Sequence, residues 1–352
     1  MIALFSMLRR FLRRIFLPGI LIFLFAMAFS PLPRTAPTIR NHDTGQSFLP
    51  DYGHPLVAAH RIGKGDAPEN TLMAVRTCLE SENSPDIIET DLQCTKDGEL
   101  VLFHDLYLDE KTDSVEVFGK ENVPVFSKTY DELHELNMGE SFEVSAGSDG
   151  ETTYPYAGLR GDDIPDDLRI VKIEDVFDYV QAQSPDRFFF TVEIKYPFPW
   201  APKMIDKLYT ILHERSLEDR VIVASYWPDV SAYIDLRYSG KLMRSANPLE
   251  IVDLYACFER GTDLSGEKIP FMALQMPYYW RHGESLILAN LGQTEFIDYA
   301  HRYGISVQYY TVNRADDMQD LIRGGADVLM TDHPDRAQNA IRNTELFEEE
   351  KS

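Results

Sequence analysis

Two strand-length runs carry acidic residues where apolar ones would be expected. Asp86-Ile-Ile-Glu89-Thr-Asp91-Leu places Glu89 and Asp91 two residues apart. In an extended strand, side chains two apart point to one face. Phe188-Phe-Phe-Thr-Val-Glu193-Ile-Lys195 does the same for Glu193 and Lys195. A buried carboxylate costs several kcal/mol unless it is paired or bound to a metal. Three carboxylates at strand ends make an oxygen-rich site, and hard divalent cations such as Mg²⁺ or Ca²⁺ prefer oxygen ligands. The same residues also allow a structural ion pair, Glu193 with Lys195, with Glu89 and Asp91 solvated at the rim.

Two histidines stand at comparable places. His60-Arg61 closes the first apolar run, and His104-Asp105 closes the extension of the second. Imidazoles suit general acid–base work near neutral pH. Arg61 offers a planar fork matched to phosphate oxygens. A lone strand-end histidine is more often structural. Two of them, each beside a charged residue and near a carboxylate cluster, favour chemistry.

These residues need a scaffold that gathers strand ends. Apolar runs of strand length alternate with amphipathic stretches of helix length. Strands are expected at Leu56–His60, Ile87–Leu92 with a continuation at Leu100–Phe103, Phe188–Ile194, Val221–Ala224, Lys241–Ser245, Phe271–Gln275, Ser306–Thr311 and Val328–Thr331. Helices are expected between them, at Thr71–Ser81, Ile173–Ala182, Lys203–Glu214, Pro228–Tyr238, Pro248–Cys257, Gln293–Tyr303, Ala315–Arg323 and Pro334–Asn343. About eight repeats of strand then helix predict an α/β fold, a TIM (β/α)8 barrel, whose active sites gather at the C-terminal strand ends. Roughly Asp109–Arg169 breaks the rhythm and reads as an insertion after the second strand.

Read in order, the motifs resemble the signature of the glycerophosphodiester phosphodiesterase family. They are His60-Arg61, Pro68-Glu69-Asn70-Thr71, Glu89-Thr90-Asp91, Thr95-Lys96-Asp97-Gly98, His104-Asp105 and Val192-Glu193-Ile194-Lys195. Tyr310-Thr311-Val312-Asn313, Gly325-Ala326-Asp327 and Thr331-Asp332-His333-Pro334 complete the set. The resemblance runs from about Val57 to Pro334. It implies a TIM barrel with a small region inserted after the second strand. It implies one divalent metal held by Glu89, Asp91 and Glu193, with Glu69 a further possible ligand. It implies His60 and His104 as the catalytic histidines, and Arg61 and Lys195 as phosphate contacts. Two positions depart from the pattern. Ile62 stands where the family usually has Gly, so Gly63 and Gly65 are expected to supply the bend. Lys111 is the only base where the family commonly has an Arg-Thr pair.

The implied reaction is metal-dependent hydrolysis of a glycerophosphodiester to glycerol 3-phosphate and an alcohol, with the two histidines exchanging protons. Tyr154, Tyr156, Trp200, Tyr226, Trp227, Tyr278, Tyr279 and Trp280 include candidates for packing the glycerol or a lipid head group, and the insertion is expected to shape the alcohol-side pocket. A phospholipase acting on intact membrane lipid and a non-catalytic barrel binding a phosphorylated ligand are the alternatives. A glycosidase is disfavoured, because its two carboxylates must flank a scissile bond whereas Glu89 and Asp91 share one strand.

The chain of 352 residues opens with Met-Ile-Ala-Leu-Phe-Ser-Met-Leu and the arginines Arg9, Arg10, Arg13 and Arg14. A charge-free run from Ile15 to Phe29 follows. Residues 1–33 are therefore expected to be a transmembrane anchor or a signal segment, and the positive flank places the globular part on the extracytoplasmic side. Cleavage would make it secreted. Residues 34–52 read as a linker, 53–343 as the barrel and 344–352 as an acidic tail. The net charge of −23 argues against nucleic acid as a partner. Cys78, Cys94 and Cys257 form no disulfide or zinc pattern and read as buried small hydrophobes.

Overall fold

The computed structural model describes residues 54–145, 151–185, 187–282 and 286–349. The expected anchor and linker lie outside the described residues. Among the described residues no helix is long and apolar enough to cross a membrane.

In chain order the strands are β1 (Leu56–Ala59), β2 (Ile87–Cys94), β3 (Leu100–Leu102), β4 (Phe189–Ile194), β5 (Val221–Ala224), β6 (Met243–Arg244), β7 (Ala273–Met276), β8 (Tyr279–His282), β9 (Leu286–Asn290), β10 (Ser306–Tyr309) and β11 (Val328–Thr331). The α-helices are α1 (Leu72–Glu80), α2 (Ser114–Phe118), α3 (Tyr130–His134), α4 (Ile173–Gln183), α5 (Ala201–Arg215), α6 (Pro228–Tyr238), α7 (Pro248–Glu259), α8 (Thr294–His301), α9 (Ala315–Gly324) and α10 (Pro334–Glu349). The parallel strands run in the order β6-β5-β4-β2-β1-β11-β10-β7. A parallel bridge between Ser245 and Ala273 joins the two ends of that path into a near-closed barrel. The register is tight where the chain ends meet: β1 pairs Leu56 with Val328 and Ala59 with Thr331.

Side-chain alternation sorts each strand between two environments. One face of the strands looks outward to the helices. Ile88 and Leu92 of β2 and Phe190, Val192 and Ile194 of β4 join α1, α4, α5 and α6 in one buried half-shell. Val57, Leu274, Val307 and Leu329 join α7 to α10 in the other. The opposite face looks into the lumen. Leu56, Ala58, Ile87, Ile222, Ala273 and Val328 fill it as an apolar plug. Higher in the lumen comes a polar layer, where the Gln275 amide donates to Thr191 Oγ1 at 3.2 Å and to Gln308 Oε1 at 2.8 Å. On β2 the lumenal series Ile87, Glu89, Asp91 therefore runs from plug to mouth.

The two-residue β6 is anchored by an ionic network. Arg244 is buried, donating to both carboxylate oxygens of Asp235 on α6 and of Glu250 on α7 at 2.6–2.8 Å. Glu250 also completes a capping box with Asn247 at the start of α7.

The described residues of the insertion after the second strand carry structure of their own. β3 pairs antiparallel with β2 and brings Val101 and Phe103 into a cluster with Leu108, Val125, Leu133, Leu136 and Ile170. That separate small core, with helices α2 and α3, satisfies the expectation that so long a segment carries structure. Two details correct the sequence reading. A hairpin of β8 and β9 fills the stretch between β7 and α8. At the C-terminus, α10 continues to Glu349, so most of the expected acidic tail is helix.

Candidate active site

The site begins with a tight bend. β1 stops at Ala59, and the chain turns through a 3-10 segment, His60–Ile62. Arg61, Ile62 and Gly63 all have positive φ, at 49°, 64° and 78°. This explains the departure at Ile62: glycine adopts that backbone without penalty, whereas Ile62 is held there by burial of its side chain. Gly63 supplies part of the bend as expected. Gly65 has a different role, since a Cβ on it would lie 2.2 Å from the His333 ring.

The bend carries the backbone N–H of Arg61 to Glu89 Oε2, at 2.6 Å. Glu89 and Asp91 are buried in the lumen, and in the β2–β4 register Asp91 lies opposite Glu193. One ligand oxygen from each of Glu89, Asp91 and Glu193 falls within 4.8 Å of the other two. Lys195 closes the cluster, with Nζ 3.2 Å from Asp91 Oδ1 and 3.1 Å from Glu193 Oε2. The ion pair considered from sequence is thus present, and it shares its lysine with Asp91. Both Lys195 and Arg61 have raised pKa values. Burial opposes their charge and the surrounding carboxylates outweigh it.

The two buried carboxyls are unequal. Burial, together with the neighbouring Asp91 charge, pushes Glu89 well above the usual carboxylate range. Burial pushes Asp91 the same way, but Lys195, His104 and Arg61 outweigh it and hold Asp91 below that range. Asn70 contributes to the difference. Its Nδ2 donates to Asp91 Oδ2 at 3.0 Å, and its Oδ1 accepts from Thr90 Oγ1 at 2.9 Å and from the Asp91 N–H at 3.3 Å. In the sequence Asn70 stands in the Pro68-Glu69-Asn70-Thr71 motif without a role of its own. The cap of α1 is Thr71, which accepts from Ala74 N.

Glu69 is placed differently from the other acids. It accepts from Arg61 Nη1 at 3.1 Å and lies 3.4 Å from Lys111 Nζ, outside the cluster of three. Its contacts are to these two cations, and it holds the Arg61 guanidinium beside the cluster. Arg61 Nε is buried and has no hydrogen-bond partner.

Each histidine is held by a carboxylate. His60 Nδ1 lies 2.6 Å from Asp332 Oδ1, and His104 Nδ1 lies 2.6 Å from Asp105 Oδ1. Burial works against the charge of Asp332, but His60 and Asn313 hold its carboxyl below the ordinary range. The hydrogen bond from His104 does the same for Asp105. An ionised carboxylate only accepts, so each Nδ1 donates and each Nε2 is left free for proton transfer. Asp332 is fixed in turn by Asn313, whose Nδ2 donates to it at 2.7 Å. Sequence reasoning placed Asn313 and Asp332 in family motifs but gave neither a role.

A cavity of about 540 Å³ is lined by His60, Arg61, Lys64, Glu89, His104, Glu193 and Lys195 and by Ser225, Tyr226, Ser245, Gln275, Tyr310 and others. Of the aromatic residues singled out from sequence, Tyr226 lines it. Trp200 packs on Phe126 and Tyr196 instead, and Trp227 donates to the Lys195 carbonyl. Tyr310, which sequence reasoning treated only as part of a motif, also faces it. None of the described residues of the insertion lines the cavity, which corrects the expectation that the insertion shapes the pocket. Its described residues fold on a core of their own beside β3, and among them Lys111 reaches Glu69 at the edge of the site.

Known proteins resemble this chain in sequence and in fold. Residues 60–336 match the model of the glycerophosphoryl diester phosphodiesterase family. A glycerophosphodiester phosphodiesterase of Caldanaerobacter subterraneus subsp. tengcongensis is 30% identical over 288 residues, covering 82% of this chain and 98% of that one. The chain belongs to the glycerophosphoryl diester phosphodiesterase family. The fold is shared with the phosphodiesterase domain of an uncharacterised Mycobacterium tuberculosis protein, at a TM-score of 0.63 and 22% identity over 81% of this chain and 98% of that one. It is also shared with an Oleispira antarctica phosphodiesterase solved with the product sn-glycerol-3-phosphate, at a TM-score of 0.58 and 17% identity over 82% and 98% of the two chains. Family membership makes the protein an enzyme of the phosphoric diester hydrolase class.

Proposed function

We propose that this enzyme hydrolyses glycerophosphodiesters to glycerol 3-phosphate and an alcohol, with a hard divalent cation such as Mg²⁺ or Ca²⁺ on Glu89, Asp91 and Glu193 and with His60 and His104 as proton carriers. The observation that supports it most is the convergence of the carboxylate cluster and both carboxylate-held imidazoles on one cavity. The donor set fits such an ion. It is all oxygen, two of its three members are buried, and Glu89 is pushed toward its neutral form by burial and by the Asp91 charge. A cation there would polarise a phosphoryl oxygen and acidify an adjacent glycerol hydroxyl.

The protein's own groups supply the rest. One imidazole Nε2 removes the proton of the glycerol hydroxyl next to the phosphate. That oxygen attacks phosphorus, and the bond from phosphorus to the alcohol oxygen breaks. The second imidazole protonates the departing alcohol. Water then opens the resulting cyclic phosphodiester, with the histidines exchanging roles. Lys195 and Arg61, both on the cavity wall, would meet the equatorial phosphoryl oxygens.

The test is release of glycerol 3-phosphate from glycerophosphocholine by the purified enzyme and by His60→Ala and His104→Ala. Full turnover in either variant would exclude the two-histidine scheme. We further propose that residues 1–33 anchor the enzyme to a membrane, or direct it across one, leaving the catalytic domain extracytoplasmic. The basic flank and the apolar run support this. Protease digestion of intact cells that leaves the barrel untouched would argue against it.

A further inference from the structure

Among the described residues lining the cavity, the permanent cations are Arg61, Lys64 and Lys195, and the scheme above uses the first and the last. Both of those are held by carboxylates at close range. Arg61 lies 3.1 Å from Glu69, and Lys195 lies 3.1 Å from Glu193 and 3.2 Å from Asp91. Lys64 is held more loosely. Its Nζ faces Asp332 Oδ2 across 3.7 Å, beyond hydrogen-bond range. That oxygen already accepts from Asn313 at 2.7 Å, and Oδ1 of the same carboxylate lies 2.6 Å from His60. Asp332 is therefore satisfied without the lysine.

The backbone beneath Lys64 is firmly held. Its N–H donates to the His60 carbonyl at 3.2 Å, and the N–H of Gly65 donates to the Asp332 carbonyl at 3.0 Å. Asp66 then meets His333 Nδ1 at 3.0 Å. The turn is thus pinned to the chain just past β11, and it presents an ammonium group beside His60. A fixed backbone under a head group without a close partner suits an anion that comes and goes.

Charge points the same way. The carboxylates in and around the site are Glu69, Glu89, Asp91, Asp105, Glu193 and Asp332, set against the cations Arg61, Lys64, Lys111 and Lys195. A divalent ion on the cluster would bring the two sets level. Without Lys64 the balance would stay negative, against an anionic substrate and a still more anionic product.

We propose that Lys64 is a further phosphate contact, which meets the terminal oxygen that cleavage creates on the His60 side. A phosphodiester has two terminal oxygens on phosphorus, and the phosphomonoester product has three. Arg61 and Lys195 stand at the carboxylate cluster and serve the first two. Lys64 stands at the imidazole beside which the third appears. The inference rests on the phosphodiesterase reading above.

The experiment titrates glycerol 3-phosphate calorimetrically into the full chain, held in amphipol with Mg²⁺ or Ca²⁺, at about pH 8, where the monoester is a dianion. Turnover of glycerophosphocholine is followed in parallel. Lys64→Met keeps the length of the side chain and removes its charge. Loss of a charge-assisted contact should weaken glycerol 3-phosphate binding roughly 10–100-fold. KM for the less charged diester should rise by a smaller factor. Lys64→Arg, which keeps the charge, should bind the product within about 3-fold of the parent. Product binding unchanged in Lys64→Met overturns the proposal; a fall in kcat alone would mean that Lys64 acts through Asp332 and His60. An equal loss of binding in Lys64→Arg overturns it too, and so does a parent that turns over the diester with no measurable affinity for the product. In each of those cases the phosphodiesterase reading stands. A parent that does not turn over glycerophosphocholine overturns both.

Discussion

Asn70 gives the account a sensitive test, because its side chain does nothing but serve Asp91 and its strand. Asn70→Gly removes that side chain and nothing else: φ is 57° at this position, a backbone that glycine adopts freely. Three hydrogen bonds disappear. One is to the Asp91 carboxylate at 3.0 Å, one from Thr90 Oγ1 and one from the Asp91 N–H. All are buried, and loss of the partner to a buried charged group costs about 1.5–3 kcal/mol, with the neutral bonds adding less. A destabilisation of about 2–5 kcal/mol follows. The functional effect is separate. Asp91 keeps Lys195 but loses the group that aims Oδ2, and loss of such an outer partner weakens metal binding roughly 10–100-fold. Isothermal titration with Mg²⁺ or Ca²⁺ measures that change, and urea unfolding of the metal-free protein measures the first. A variant that loses stability but binds the cation as tightly as the parent would refute the reasoning, since Asn70 would then brace the strand without setting the ligand.

Other outcomes follow from the same geometry. His60→Ala and His104→Ala should each lower kcat by about 10²–10⁴-fold, read from glycerol 3-phosphate release. Asp332→Asn keeps the shape but replaces an acceptor-only carboxylate with a neutral amide that can also donate, so the His60 tautomer is no longer fixed; kcat should fall by at least ~10-fold and the pH profile should move, with circular dichroism unchanged. Metal affinity should rise with pH. Glu89 has a folded pKa raised above its unfolded value of ~4.3, so the metal-free folded state keeps a proton that the unfolded state releases. Between those two values the metal-free protein loses stability as pH rises, and saturating cation should cancel that slope in melting curves; a slope unaffected by cation would count against Glu89 as a ligand.

The parts of the fold visible in the sequence are those written in local periodicity. Strands buried on both faces, such as Val221–Ala224 and Val328–Thr331, are short continuous apolar runs, and amphipathic helices separate them. Glu89, Asp91 and Glu193 stood out for the same reason: a charge inside such a run has few explanations. What stayed hidden depends on closure of the barrel. His60 meets Asp332 across 272 positions of sequence, and nothing local to either residue announces the other. Asn70 was legible only as a member of the Pro68-Glu69-Asn70-Thr71 motif, which says nothing of the carboxylate its amide meets. The bend at Ile62 was misread because glycine was assumed where left-handed backbone is needed, and a buried isoleucine there is paid for by its packing. The position of the insertion was legible, but its direction was not. Its apolar residues show that it has a core, not which side of the barrel that core lies on.

The central claim is that Glu89, Asp91 and Glu193 hold a cation without which the phosphodiester is not cut. The most direct measurement is the rate of glycerol 3-phosphate release from glycerophosphocholine before and after chelation with EDTA, and again after Mg²⁺ or Ca²⁺ is restored. The expected result is a fall to background on chelation and recovery on addition of one of the two ions. Undiminished release by the chelated enzyme would contradict it.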